Sequence, residues 1–483
     1  MFLGMKKRVI GFCIALLAVS VPVCAYQRCE SIPQGVNRLL NHTSPAVDIG
    51  IVVQSMNTGT VYYSKNASEF FAPASVQKMF TVSSALLSLS PHYRFPTRLL
   101  TTGTISDGAL HGNLIFQFSG DPSLNQSNMA EFIKKLKKMG VHRIDGGIMI
   151  DNTAYDHIPY PAGWSFDDLT TDFAAPLNTV IINRNRFGIA MIPAERAGEK
   201  ATLIPHLPPG SATFYNETIT TRYPKSGCPI KIYSNEHNQY MIRGCLARSQ
   251  GTQRRAFAIR NMEMYSRALI RALLTKHQIH WTGGFSNAKT PVNAQVIDTH
   301  DSKPLGTLII HLLKKSDNLY ADSLLKKIGE AYHHVPGSWD NGVSALKPIL
   351  SQFMGINPHA LHFVDGAGLS EYNKVMPITV SELLYHIEHN DMLRDTLIPA
   401  LPIAGVDGTL AGRMPMLARG RRLHAKTGSM GGVSTLAGFI KTNHHGLLSF
   451  VIMINKVPKQ RGPYIVLENH LGEFLANAIP CNY

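Results

Sequence analysis

Ser75-Val76-Gln77-Lys78 places a hydroxyl and an amine three residues apart, and on a helix that spacing puts both on one face. A serine oxygen is a poor nucleophile until a base takes its proton. A lysine serves as that base only when burial or nearby cations lower its pKa. The chemistry such a pair serves is acyl transfer. Taken singly the pattern is cheap, because Ser344-Ala345-Leu346-Lys347 shows it too and nothing else marks that stretch. Two further elements follow in order, Ser316-Asp317-Asn318 and Lys426-Thr427-Gly428. Lys426 would be the neighbouring cation, Ser316 a proton relay and Asn318 an amide that grips a peptide bond. Thr427 and Ser429 offer hydroxyls to a carboxylate, and Gly428 lets a substrate backbone approach closely. The ordered conjunction is what carries weight.

These groups need elements to hold them. Phe71-Ala72-Pro73-Ala74 reads as a loop and the apolar run after Lys78 as a buried helix over residues 75–89. Ser75 then sits at a helix N-terminus, where unpaired N–H groups and the dipole favour developing negative charge. Residues 47–54 and 61–63 predict a hairpin around Asn57-Thr58-Gly59. Residues 447–454 are β-branched and apolar, a central strand, with 436–441 as its neighbour. A final helix over 464–478 should lay Ile465, Leu467, Leu471 and Phe474 on that sheet. Between these ends, 114–118 and 147–150 read as strands and 129–139 as a basic helix. The stretch 189–256 is rich in Pro, Thr and Gly, with strand-like runs at 231–233 and 240–242. A helical period returns over 265–279.

A chain of 483 residues exceeds what one core normally organises. The content of 44% hydrophobic and 16% charged residues excludes a disordered polymer. A net charge of +15 suits polyanions, yet zinc spacings and aromatic–basic stripes are missing from the sequence, so nucleic acid is not the expected partner. A cell-wall polymer or an anionic membrane surface fits that charge. Lys6-Lys7-Arg8, an uncharged run over 9–22 and Val23-Cys24-Ala25 read as a cleaved export signal over 1–25; Val23 is bulkier than the residue expected before a lipidated cysteine. Cleavage after Ala25 leaves Cys29, Cys228, Cys245 and Cys481, which allow three pairings. Cys228 with Cys245 would close a short loop, and Cys29 with Cys481 would join the chain ends. No later apolar stretch is long enough to span a bilayer, so membrane contact is at most peripheral.

The three motifs, in their contexts, resemble those of the class C low-molecular-mass penicillin-binding proteins, the D-alanyl-D-alanine carboxypeptidase/endopeptidase family. The resemblance runs through Gly120-Asp121-Pro122-Ser123-Leu124, Gly163-Trp164-Ser165-Phe166-Asp167-Asp168, Asp365-Gly366-Ala367-Gly368-Leu369-Ser370, Ala404-Gly405-Val406-Asp407-Gly408-Thr409-Leu410 and Leu436-Ala437-Gly438-Phe439-Ile440. About 240 residues separate Ser75 from Ser316, room for further domains of ordinary size. The resemblance implies an α/β (α+β) architecture: a penicillin-recognising serine transpeptidase-like domain, an antiparallel sheet flanked by helices, with two nested inserted domains. The catalytic domain would take 26–96 and 303–483, one insertion 97–188 and 257–302, and a small β-rich insertion 189–256.

By that resemblance Ser75 is the acylated nucleophile, Lys78 its base and Ser316 the shuttle to the leaving amine. Asn318, Lys426, Thr427 and Ser429 hold the substrate, and the N–H groups of Ser75 and Ser429 form the oxyanion hole. Asp168, with Phe173 nearby, reaches toward the amino group of the substrate's side chain. Peptidoglycan peptides and β-lactams are the implied ligands, no cofactor or metal is required, the location is periplasmic, and self-association is left open. Three positions depart from the family: Ala367 where serine is usual, Glu371 where arginine is common and Gly431 where glutamine is frequent. The rival readings are a β-lactamase or esterase on the same scaffold and a non-catalytic peptidoglycan-binding protein. Metal hydrolysis lacks support, because pairs such as His277/His280, His333/His334 and His444/His445 have no H-E-x-x-H or third ligand. A Ser-His-Asp hydrolase lacks its G-x-S-x-G elbow.

Overall fold

The computed structural model describes residues 30–41 and 43–480; the export segment, Cys29 and Cys481 lie outside the described residues. A five-stranded antiparallel sheet is ordered Val61–Lys65, Asp48–Ser55, Leu447–Asn455, Val433–Lys441, Leu423–Met430. The hairpin near the start of the chain thus pairs with strands near its end, Asp48 opposite Asn455. The three central strands are buried almost without alternation, which is what a sheet covered on both faces requires. Ile452 and Ile454 point toward the helices Ile32–Leu40 and Gly462–Asn477, with Leu467, Leu471 and Leu475. Val451 and Met453 point the other way, into a core shared with the helices Lys78–Leu89, Asn318–His333, Trp339–Met354 and Pro377–Glu388. The α/β architecture expected above is present.

A second hydrophobic core lies between residues 96 and 301. The helices Gln126–Lys138 and Met262–Lys276 contribute Phe132, Ile133, Leu269 and Ile270 to it. They cover a five-stranded mixed sheet ordered Phe285–Asn287, Ile148–Asp151, Leu114–Gln117, Pro96–Thr101, Gln295–Asp301. Two three-stranded sheets follow in the β-rich segment. One is ordered Thr202–Pro205, Arg186–Ile192, Gln253–Ala258; the other Thr213–Thr221, Gln239–Ala247, Lys231–Ser234. Their inward residues Phe187, Tyr240 and Ile242 join the same cluster as Leu114 and Phe116. Cys228 and Cys245 form a disulfide with Cα atoms 5.4 Å apart.

The loop that leaves Ile148–Asp151 returns to the first core. The Tyr155 hydroxyl bonds the Ser323 carbonyl at 3.0 Å, and the fully buried Lys326 donates to Asp156 at 2.5 Å while lying 4.6 Å from the Trp339 ring. Trp164 reaches Asp365 with its indole N–H at 3.0 Å. These anchors carry the residue 156–174 stretch to the edge of the catalytic sheet.

Candidate active site

Ser75 does not lie within the α-helix. A 3-10 turn, Ala74–Gln77, carries it, and the α-helix opens at Lys78. Ala74 takes a left-handed φ of 45°, so the chain kinks after Pro73 and presents Ser75 on a tight turn. Two glycines make the turn's surroundings close-packed. A Cβ on Gly428 would meet Thr435 Oγ1 at 2.1 Å, the Pro73 carbonyl at 2.8 Å and Ala74 at 3.0 Å; one on Gly368, at φ 80°, would strike the Ala74 carbonyl at 1.9 Å. Gly428 therefore serves the approach of its strand to the Ser75 turn, rather than the approach of substrate expected above.

Lys78 is fully buried, and its Nζ has three partners: Ser75 Oγ at 2.7 Å, Asn318 Oδ1 at 2.6 Å and the Ala367 carbonyl at 2.7 Å. Burial draws its pKa down to about 8, against the opposing charges of Asp322, Asp365 and Asp317. Because the contact at residue 367 is made by a backbone carbonyl, alanine there removes nothing from this network. Lys426, also fully buried, donates to Ser316 Oγ at 2.8 Å and to the Thr427 carbonyl at 2.7 Å. Burial, reinforced by the charge of Lys78, pulls its pKa well below the usual lysine value. Among the described residues no carboxylate lies within ion-pair distance of it. Ser316 itself takes a left-handed conformation, φ 55°, closing the helix Leu305–Lys315.

A cleft of about 580 Å³ opens over these groups, lined by Ser75, Ser316, Asn318 and Ser429 and by Asp168 and Phe173 from the long excursion. The structure thus gathers every expected site residue at one place, with Lys78 and Lys426 buried behind the lining and Thr427 part-exposed on the strand between Lys426 and Ser429. Thr427 shares a 2.7 Å hydroxyl contact with Thr409. Asn318 uses both ends of its amide, since Nδ2 donates to the Phe173 carbonyl at 2.9 Å. Asp168 sits in a 3-10 turn, Phe166–Asp168. Burial first, then the charges of Asp167 and Glu371, raise its carboxyl above the usual range. Lys459 and Arg461 also line the cleft.

Two supporting acids were not singled out from sequence. Asp365 accepts from the backbone N–H groups of Gly368, Leu369 and Ser370 and from Asn373 and Trp164, all within 3.1 Å. It shapes the loop that brings the Ala367 carbonyl to Lys78. Asp322, one helical turn after Asn318, accepts from Gly366 N–H at 2.8 Å and is buried enough to raise its carboxyl well above the usual range. Its signal was available: an acid four residues past Asn318 shares that residue's helix face. Among the described residues no group of His, Cys, Asp and Glu is placed to hold a metal ion.

A sheet between helices, with a buried lysine hydrogen-bonded to a serine at its edge, defines a serine acyl-transfer enzyme of the penicillin-recognising fold. The chain belongs to the D-Ala-D-Ala carboxypeptidase 3 (S13) family, whose sequence profile matches residues 35–469. It is 32% identical over 453 residues to the D-alanyl-D-alanine carboxypeptidase DacB of Haemophilus influenzae, covering 92% of this chain and 91% of that one. It is 26% identical to a D-alanyl-D-alanine carboxypeptidase of Actinomadura, over 84% of this chain and 77% of the relative. The crystal structure of penicillin-binding protein 4 (dacB) from Haemophilus influenzae superposes with a TM-score of 0.84 over 92% of this chain and 99% of that one, at 32% identity. A second structure of that protein is a complex with a novel β-lactam.

Proposed function

We propose that this chain is an exported serine D-Ala-D-Ala carboxypeptidase and endopeptidase, penicillin-sensitive through Ser75, acting on peptidoglycan stem peptides and cross-links. The observation that carries the reading is the set of three oxygens around Lys78 Nζ. A neutral amine has two N–H groups and one lone pair. Asn318 Oδ1 and the Ala367 carbonyl can only accept, so they take the two hydrogens and leave the lone pair to the Ser75 hydroxyl. Lys78 is thereby poised as a general base, with a pKa near working pH.

In the forward step Lys78 takes the Ser75 proton as Oγ attacks the carbonyl carbon between the two D-alanines. Charge develops on the carbonyl oxygen, facing the backbone N–H groups of Ser75 and Ser429. The C–N bond then breaks, and the departing amine takes a proton from Ser316, whose oxygen is reprotonated with the proton that Lys78 took from Ser75. The Ser316 oxygen accepts from Lys426, which leaves its own O–H free to donate. Water later cleaves the Ser75 ester. The substrate's terminal carboxylate, held by Thr427 and Ser429, supplies the counter-charge beside Lys426. Asn318 and Phe173 border the substrate backbone, and Asp168 faces its side-chain amine. A β-lactam follows the same path, except that its amine stays tethered after the ring opens.

The family resemblance supports a catalytic domain over 26–96 and 303–483, with the insertions at 97–188 plus 257–302 and at 189–256. Among the described residues no helix is long and apolar enough to cross a membrane. Intact-protein mass spectrometry after incubation with labelled penicillin tests the assignment. Wild type gains one adduct and Ser75→Ala gains none, and the unlabelled enzyme releases D-alanine from a D-Ala-D-Ala peptide. Labelling of the alanine variant, or rapid loss of the adduct without peptide turnover, would overturn it.

A further inference from the structure

In the sheet ordered Thr213–Thr221, Gln239–Ala247, Lys231–Ser234, alternation sends Phe214, Tyr240, Ile242 and Ile232 toward the second core. The outward positions of such a sheet are ordinarily polar. Here one outward row is Tyr215, Met241 and Tyr233, register partners across the three strands and 48%, 37% and 43% exposed. The next outward row is Glu217, Arg243 and Lys231. The Arg243 guanidinium lies 4.8 Å from the Tyr233 ring and donates to its hydroxyl at 2.9 Å. Arg243 therefore holds the Tyr233 ring, and the flanking row carries two cations and one anion.

We propose that this face docks the glycan strand of peptidoglycan. Sugar rings present apolar C–H faces that lie against tyrosine rings, and hydroxyls that take bonds from phenol and guanidinium groups. The charge matches an acidic polymer: residues 189–256 hold nine Lys and Arg against four Asp and Glu. The strand that carries Tyr233 is tied to the cleft wall through its inward face: Ser234, in the row of Tyr240, contacts Thr170 at 2.8 Å, and Thr170 lies two residues from Asp168. A purely apolar partner is disfavoured by the charged row flanking the tyrosines.

The inference rests on the peptidoglycan reading, and its test separates the two. Ser75→Ala protein is co-sedimented with bead-immobilised glycan strands whose stem peptides have been removed by an amidase, which leaves sugar rings and lactyl carboxylates. It is co-sedimented in parallel with anionic phosphatidylglycerol vesicles. The expected result is binding to the stripped glycan that weakens at least tenfold in Tyr215→Ser/Tyr233→Ser and in Arg243→Gln. With Ser75 restored, those variants keep their melting temperature and their turnover of a small soluble D-Ala-D-Ala peptide, while turnover of whole peptidoglycan falls. If the double variant misfolds, Tyr215→Ser and Tyr233→Ser measured singly decide the matter. No binding to stripped glycan, equal binding by wild type and variants, or loss confined to the vesicle arm would overturn the proposal. Failure of small-peptide turnover in the wild type would instead overturn the enzymatic reading, with glycan binding still scored.

Discussion

Arg184 donates through Nη1 to the Asp317 carboxylate at 3.1 Å, joining a residue of the long excursion to the middle of the Ser316-Asp317-Asn318 turn. Arg184 is the central member of three successive left-handed residues, Asn183, Arg184 and Asn185, at φ 53°, 58° and 50°. Such conformations cost about 1–3 kcal/mol each outside glycine. Side-chain bonds hold the run in place, Asn185 to the Pro176 carbonyl at 2.9 Å and Asn183 to the Tyr265 hydroxyl at 3.1 Å. Burial pushes the Asp317 carboxyl up, but the His311 hydrogen bond and the charges of Arg184, His311 and Arg186 outweigh it and hold the group below its usual value. Asp317 is thus an anionic peg between Ser316 and Asn318, fixed from outside the catalytic sheet.

Arg184→Ala should slow penicillin acylation about tenfold, equivalent to about 1.4 kcal/mol of transition-state positioning. Arg184→Lys should recover part of the rate. The diagnostic measurement is a double-mutant cycle with Asp317→Asn, read in acylation rate and in melting temperature. A positioning role gives strong coupling in rate; additive effects on rate would show that the pair does not orient Ser316.

The acylation rate should climb with pH until Lys78 is mostly neutral. With its pKa near 8, the neutral fraction falls tenfold for each unit below that value, so the rate should rise tenfold per unit between about pH 5 and 7 and level off above about 8. The linked stability runs in the same direction with pH as that of a paired acid, because both folded pKa values are depressed. The folded pKa lies below the ordinary 10.5, so between about 8 and 10.5 the unfolded chain binds more protons and this group's contribution grows with pH. A rate flat across pH 5–8 would remove Lys78 from the role of base.

Gly428→Ala should cost activity through the Ser75 turn. The added methyl meets backbone and Cβ atoms of Pro73 and Ala74 as well as Thr435, and overpacking of this kind costs about 1–3 kcal/mol. Both acylation and thermal stability should fall. Loss of substrate affinity alone, with acylation by small penicillins intact, would restore the view that this glycine makes room for substrate.

The nucleophile, base, relay and cation were legible because each lies in a short run whose residue types match one chemistry. The hairpin over 47–54 and 61–63, the paired terminal strands and the last helix were legible from period and length. Asp365 opens the run 365–370 and Asp322 lies one helical turn past Asn318, but their roles were not legible, since both act through backbone amides and through charge at a distance. Arg184 was further out of reach: it meets Asp317 across 133 residues of sequence, and nothing in Asn183-Arg184-Asn185 announces a left-handed run. The helix start was misplaced by three residues because Ala74 adopts a φ that alanine rarely takes, converting the first turn to 3-10 geometry. Of the three cysteine pairings, the short loop over Cys228 and Cys245 is formed, and the other two cysteines lie outside the described residues.

Asp168→Asn should separate substrates by side-chain charge. The carboxyl lies on the cleft wall, and its raised pKa reflects burial first and then repulsion from Asp167 and Glu371. An incoming ammonium relieves all three costs at once, so amine-bearing peptides should lose about tenfold in kcat/KM on substitution while side-chain-acetylated peptides change little. The sign with pH follows from the raised pKa. Protonation of Asp168 begins above the ordinary carboxylate range, so KM for the amine-bearing peptide should rise on acidification there, and KM for the acetylated one should not. Glu371, standing where the family resemblance implies arginine, adds its charge to that of Asp167 at Asp168, and Lys459 and Arg461 line the same cleft. Glu371→Arg should therefore weaken the amine preference in the same direction as Asp168→Asn. Equal losses for amine-bearing and acetylated peptides in Asp168→Asn would show that Asp168 supports the loop rather than reading the side chain.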